Sequence, residues 1–199
     1  ISRVRKHRKG SEKMDKYTMG LKFRIYPNHA QQELINRTLG CCRFVFNHFL
    51  AIRRDEWTAK HKFVTYNQTS AMLTDLKRYE EYSWLKEVDS MALQESLKNL
   101  DTAYQNFFKH QSRYPRFKSK HNHSQSYRTR NQGNGVRIIG NRIKLPKIGA
   151  VKIKQSRKFE GRILNATVSR NASGKYFVSL CVELDKETLL KTNDGGEIG

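Results

Sequence analysis

One strand-like segment stands apart from all the others, and its isolation limits the fold more than composition does. Across residues 17–26, Leu21, Phe23 and Ile25 alternate with Lys22, Arg24 and Tyr26, the period-two signature of a half-buried strand. Pro27 ends the run, since proline cannot donate to a ladder. The next such run begins only near Val136. From there Val136–Ile139 is predicted to pair with Arg142–Leu145 across the Gly140-Asn141 turn. Residues 150–154 alternate strictly, and 163–170 and 175–184 form a hairpin through Asn171-Ala172-Ser173-Gly174. A lone strand needs a sheet. The first strand is therefore predicted to pair with the later ones, and the helical residues between become an insertion. The expected fold class is α+β: a small antiparallel OB-like barrel split by a helical bundle. The expected domains are a mobile basic tail at 1–16, the barrel at 17–28 and 113–190, and the helical insertion at 29–112.

The insertion carries its own punctuation. Asn28-His29-Ala30-Gln31 and Thr65-Tyr66-Asn67-Gln68 read as capping boxes. The first opens a long helix with Leu34, Ile35, Leu39, Cys42, Val45, Phe46, Phe49 and Ile52 on one face, fading after Trp57. His48 lies near that stripe as a core or boundary histidine. The second box opens a helix to about Arg78, with Met72, Leu73 and Leu76 inward. A turn region over 79–86 is predicted to bury Trp84 and Leu85. Asp89 or Ser90 then caps a helix whose Leu93, Leu97, Leu100, Tyr104, Phe107 and Phe108 form a core stripe. Gln94, Lys98 and Asn99 lie on its other face.

Charge narrows the function. Residues 102–159 hold no Asp or Glu but fifteen Lys and Arg, interleaved with rings and amides, as in Tyr114-Pro115-Arg116-Phe117-Lys118. The whole chain has a formal net charge of +21. A folded surface so short of acids repels itself unless a polyanion covers it. Nucleic acid fits, because cations release its counterions while rings and guanidinium planes stack on bases. A solvated basic linker over 109–130 is the alternative. Cys41, Cys42 and Cys181 make no CxxC pair and are read as reduced, intracellular and mostly buried. No apolar run reaches transmembrane length, and no secretion signal is evident. Ile1 stands first in place of Met, so a longer parent protein is expected.

Catalytic sets are missing from the sequence: there is no glycine-rich phosphate loop, HExxH, GxSxG or cysteine-based metal site. Paired carboxylates can hold Mg²⁺ for phosphoryl transfer. Glu80 and Glu81, however, are adjacent and splay apart, while Glu87 and Asp89 suit a helix start.

Several segments resemble TnpB proteins, the transposon-encoded RNA-guided DNA nucleases related to compact type V CRISPR effectors. They are 21–28 (LKFRIYPN), 40–47 (GCCRFVFN), 97–108 (LKNLDTAYQNFF), 114–118 (YPRFK), 145–149 (LPKIG) and 167–170 (TVSR). The resemblance covers about 17–199. It implies a split wedge barrel, a helical recognition insertion, and a RuvC nuclease domain joined through a linker at 191–199. The RuvC acids and the family's zinc ribbon are not in this sequence, so the chain alone is expected not to cut DNA. No cofactor is expected in it, Mg and Zn belonging to the RuvC half. The implied partners are guide RNA and double-stranded target DNA, with no membrane, in a prokaryotic cytoplasm near the nucleoid. The implied DNA-motif readers are Tyr66, Ser70, Ser90, Met91, Gln94, Gln132 and Asn134. Gln and Asn can pair bidentately with adenine, and Met or Tyr can touch thymine methyls. The RNA- or phosphate-binding candidates are Arg24, Arg113, Arg116, Phe117, Lys118, Lys120, Tyr127, Arg128, Arg130, Lys144, Lys147, Lys152 and Lys154. Two other readings fit the charge: a sequence-specific DNA-binding transposase subunit or regulator acting without RNA, and a structural RNA-binding module.

Overall fold

A computed structural model describes residues 4–7, 16–122 and 124–184. The predicted linker at 191–199 lies outside them. The chain is α+β and divides into two compact units, one of residues 1–27 with 130–199 and one of residues 28–129. Among the described residues no helix is long and apolar enough to cross a membrane.

The first unit is an antiparallel sheet. Strand β1 (Val4–His7) lies in the segment read above as a mobile tail, and instead pairs with β2 (Lys16–Tyr26). The other strands are β4 (Arg137–Ile139), β5 (Arg142–Leu145), β6 (Gly149–Lys154), β7 (Arg162–Arg170) and β8 (Tyr176–Leu184). Strand β3 (Gln125–Arg130), which the sequence reading left as loop or linker, contains the division between the units. Within the first unit the strands run in the order β7-β8-β2-β6-β5-β4. The isolated strand thus sits at the centre: β2 pairs with β8 from Tyr17 to Ile25 and with β6 from Arg24 to Tyr26. Leu21, Phe23, Ile25, Ile143, Val151, Ile153, Val178 and Leu180 are buried, as their alternation dictates. The β4–β5 turn needs Gly140, whose φ is +57°.

The second unit is helical. Helix α1 (His29–Lys60) is opened by the Asn28 capping box, with Gln31 N–H donating to Asn28 Oδ1 at 2.9 Å and Gln31 Oε1 accepting from Asn28 N–H at 3.1 Å. It runs past Trp57 because nothing breaks it before His61, which takes the left-handed conformation at φ 49°. Helix α2 (Tyr66–Leu76) starts at the Thr65 capping box, and α3 (Ser90–Phe108) is capped by Asp89. Between them lies a 3-10 helix, Glu80–Lys86. Leu93, Leu97, Leu100 and Tyr104 are buried as the stripe predicts. Phe107 is half-buried and Phe108 exposed. Met72 is 40% exposed rather than inward, and Trp84 only half-buried. Helices α1 and α3 approach closely: Ser96 Oγ donates to the Cys42 carbonyl at 2.6 Å. Burial there pushes the Cys41 thiol up to about 11, with Glu87 adding to the rise, and raises Cys42 further.

Candidate nucleic-acid interface

Registers turn the alternation of the sheet into one charged face. Side chains directly opposite in an antiparallel pair share a face. Arg137 lies opposite Lys144 and Arg142 opposite Lys152. Arg24 lies opposite Lys154 on one side and Phe177 on the other, and Lys152 is also opposite Tyr26. Lys22 completes the row on β2. This face carries seven cations, and none has a carboxylate partner among the described residues. Rings lie between them: Lys22 Nζ is 4.9 Å from the Phe177 ring centre, and the Arg24 guanidinium is 5.0 Å from that of Tyr26. Like charges directly opposite destabilise a sheet. Three such pairs on one face describe a surface built to meet an anion. The sequence reading named Arg24, Lys144, Lys152 and Lys154. It counted Arg137 and Arg142 among the fifteen cations of the acid-free stretch without singling them out as contacts, and it did not single out Lys22, Tyr26 or Phe177, although their outward positions in the alternation were a usable signal.

Lys147 is exposed in the tight turn before β6, at φ 65°. Arg130 is exposed at the end of β3. Gln132 and Asn134 belong to the 131–136 loop of the same unit. Asn131 pins this loop: its Nδ2 donates to the Ile163 carbonyl at 2.9 Å, and its Oδ1 accepts from Val136 N–H at 2.8 Å. Asn134 sits at φ 58°, its carbonyl accepting from Arg137 Nη1 at 2.9 Å. The loop borders a cavity of about 610 Å³ that Asn134, Arg137 and Arg162 help to line.

In the helical unit three of the predicted motif readers meet. Tyr66 opens α2, and Ser70 follows one turn later on the same face. Gln94 is one turn into α3. Its Oε1 accepts from Ser70 Oγ at 3.0 Å and from Tyr66 Oη at 3.4 Å. Ser90 is exposed and Met91 half-buried in the first turn of α3, where Asp89 Oδ1 accepts from Met91 N–H at 3.0 Å. Asp89 also accepts from the Thr129 hydroxyl. With both carbonyl lone pairs of Gln94 occupied, its amide N–H groups are the donors left. Among the described residues no acceptor pairs with them.

Arg113, Arg116, Lys120 and Arg128 are exposed. Phe117 is exposed beneath Arg54, at 5.6 Å. Lys118 is anchored by its backbone, its N–H donating to Asn47 Oδ1 at 2.8 Å and its carbonyl accepting from Asn47 Nδ2 at 2.9 Å. Its ammonium lies 4.1 Å from the centre of the Phe46 ring, and burial lowers its pKa. Tyr127 is 5% exposed, so its ring offers no free face for a base. Among the described residues no three His, Cys, Asp or Glu side chains gather in a way that suits a metal ion.

Comparison with known proteins sets this geometry in a lineage. The Helix-turn-helix domain family HTH_OrfB_IS605 matches residues 14–62. The chain is 36% identical over 173 residues to the protein of Escherichia coli (strain K12) named as an RNA-guided DNA endonuclease, InsQ, and 37% identical over 174 residues to a Streptomyces pristinaespiralis protein of the same description. The chain belongs to the TnpB family. TnpB relatedness extends over 87% and 85% of this chain in those two alignments, yet each covers only 42% of the relative. The chain thus matches less than half the length of these two TnpB relatives. A third match, the Virulence protein VsdF of Salmonella dublin, is 36% identical over 106 residues, or 49% of this chain and 89% of that protein. In this TnpB chain the segment matched by the helix-turn-helix family contains β2 and α1. The helix continues through Gly40 without a turn.

Proposed function

We propose that this chain holds nucleic acid within an RNA-guided DNA endonuclease, binding guide RNA and helping to recognise a short duplex motif beside the target. The observation that carries the reading is the seven-cation sheet face, with its opposed like charges and interleaved rings. Such a face suits an RNA backbone recognised by shape and charge rather than by sequence. In this reading the sheet serves as the family's OB-like wedge, and the exposed cations of 113–128 in the helical unit make RNA contacts of their own. The setting is the cytoplasm, beside the nucleoid.

The Tyr66–Ser70–Gln94 cluster supports a motif-reading role for α2 and α3. With its carbonyl already engaged, Gln94 presents N–H donors to a base-edge acceptor such as purine N7 or thymine O4, rather than pairing bidentately with adenine. Gln132 and Asn134, on their pinned loop, are assigned to the same task, with Ser90 and Met91.

The test is to purify the chain from its own host and sequence the nucleic acid that accompanies it. A discrete RNA of defined sequence is the expected result; random fragments would sink the guide-RNA reading. A DNA binder acting without RNA is favoured by one observation, the helix-turn-helix match over 14–62. It predicts sequence-specific duplex binding that survives ribonuclease treatment. The present reading predicts that such treatment abolishes motif recognition.

A further inference from the structure

A cavity of about 260 Å³ in the helical unit lies against the middle of α1. Leu39, Cys42 and Arg43 reach it from the helix, at the i, i+3, i+4 spacing that shares one face. Lys118, Ser119, Asn122, Ser124 and Ser126 help to line its other side. Asn47, one turn beyond Arg43, ties the Lys118 backbone to the same helix through its paired hydrogen bonds. The loop is also tied to itself. Ser119 Oγ accepts from His121 N–H at 3.1 Å, Asn122 Oδ1 accepts from Ser124 N–H at 3.1 Å, and Gln125 Nε2 donates to the Lys120 carbonyl at 2.7 Å. Both walls are thus fixed by the protein's own bonds.

The cavity is rich in donors and short of acids. Arg43 is half-buried, and among the described residues its guanidinium has no carboxylate partner and no hydrogen bond. The Lys118 ammonium, packed 4.1 Å from the centre of the Phe46 ring, has no carboxylate partner among them either. The hydroxyls of Ser119, Ser124 and Ser126 donate to no protein acceptor among the described residues. No Asp or Glu among those residues lines the cavity. Cations drawn partly out of water without a counter-charge are costly, so the arrangement suits an anion.

Size and charge select the anion. Pockets that hold whole small ligands run to about 300–1,000 Å³, so this one suits a single group. A concave cavity admits the end of a strand more readily than its interior, which needs room for the chain on both sides. A phosphate monoester at such an end carries about −1.5 to −2 charges at pH 7 and three acceptor oxygens. An internal phosphodiester carries one charge and two free oxygens. Two cations and three hydroxyls match the monoester.

We propose that this cavity binds the phosphate monoester at an end of the bound RNA, with Arg43 and Lys118 against its charges and the Ser119, Ser124 and Ser126 hydroxyls donating to its oxygens. The chain thereby distinguishes an RNA end that carries phosphate from one that carries a hydroxyl. The proposal rests on the RNA-binding reading above, and its test separates the two.

The probes are short oligouridylates of one length with a 5′-phosphate, a 3′-phosphate or hydroxyls at both ends, compared by filter binding at one salt concentration. One or both phosphorylated forms should bind about tenfold tighter than the dihydroxyl form, and which of them does so names the end. An added phosphate also adds plain charge, so the variants decide. Arg43→Gln should erase the advantage and leave dihydroxyl affinity unchanged. Ser126→Ala, at an exposed position, should reduce the advantage. Lys22→Gln, on the sheet face, should weaken all three forms equally and preserve it. Equal affinity for all three forms, an advantage that stays at full size in Arg43→Gln, or one that Lys22→Gln removes overturns the end-phosphate site alone. Should Arg43→Gln fail to fold, an advantage undiminished in Ser126→Ala does the same. Failure of every oligouridylate to bind overturns the RNA reading itself, and the end-phosphate site with it.

Discussion

At the scale of single residues, Gln94 is the side chain whose role is best defined by its neighbours. Two hydroxyls fix its carbonyl, so its amide is aimed before any ligand arrives. Gln94→Ala should weaken binding to the correct duplex motif by about 1–3 kcal/mol and leave RNA affinity alone. Ser70→Ala, which only loosens the aim, should cost about 0.5–1.5 kcal/mol. Gel-shift titration against matched and scrambled duplexes checks both; equal loss on every sequence removes Gln94 from motif reading. Resemblance named these residues, but not their contact. Tyr66 and Ser70 lie 28 and 24 positions from Gln94, and no local pattern encodes a meeting over that span.

His48 was read as a boundary histidine, and it stacks on Phe44 with Phe49 and Tyr82 also against its ring. Burial lowers its pKa below the usual 6.5, so the fold favours the neutral ring. Stability should hold above about pH 6.5, where folded and unfolded forms are both neutral at this site, and fall as pH drops from there toward the lowered value. His48→Gln should flatten that stretch of the curve. Urea melts at pH 7.5 and pH 5 give the comparison, and an unchanged slope in the variant would assign the acid sensitivity elsewhere.

At the scale of elements, alternation and caps made most of the fold legible. The isolated strand, the four-residue turn before β8 and both capping boxes follow from residue type and spacing. The misses share a cause. Met72 and Phe108 lie where neighbouring elements leave a helical apolar residue largely uncovered, and Trp84 is only partly covered by Phe44; coverage is a tertiary property. Strand β3 was hidden because Ser126, Arg128 and Arg130 on its exposed side read like linker. The charged face was half legible: outward positions could be counted, but opposed pairs such as Arg142–Lys152 depend on register. That pair supports a prediction. Lys152→Thr keeps a good strand residue and removes a repulsion facing Arg142, so the free chain should gain about 0.2–1 kcal/mol in low-salt urea unfolding while its RNA affinity falls. A gain in both would mean that the face does not meet RNA.

For the whole chain, the net charge of +21 sets how binding responds to ionic strength. If about eight phosphates of single-stranded RNA are neutralised, log affinity should fall against log salt with a slope of roughly −5 to −6. Filter binding between 50 and 300 mM salt (about the range over which such slopes are resolved) measures it. A slope near −1 would reduce the footprint to one or two contacts.

The rows of facing lysines and arginines also bear on turnover. A ligand that binds only the native state shifts the folding equilibrium toward it, and here the ligand would also silence a repulsion present in its absence. Newly made copies that find no RNA should therefore open more often and be degraded sooner than loaded ones. Cellular levels of the protein would then follow the supply of its transcript partner, without any dedicated regulator.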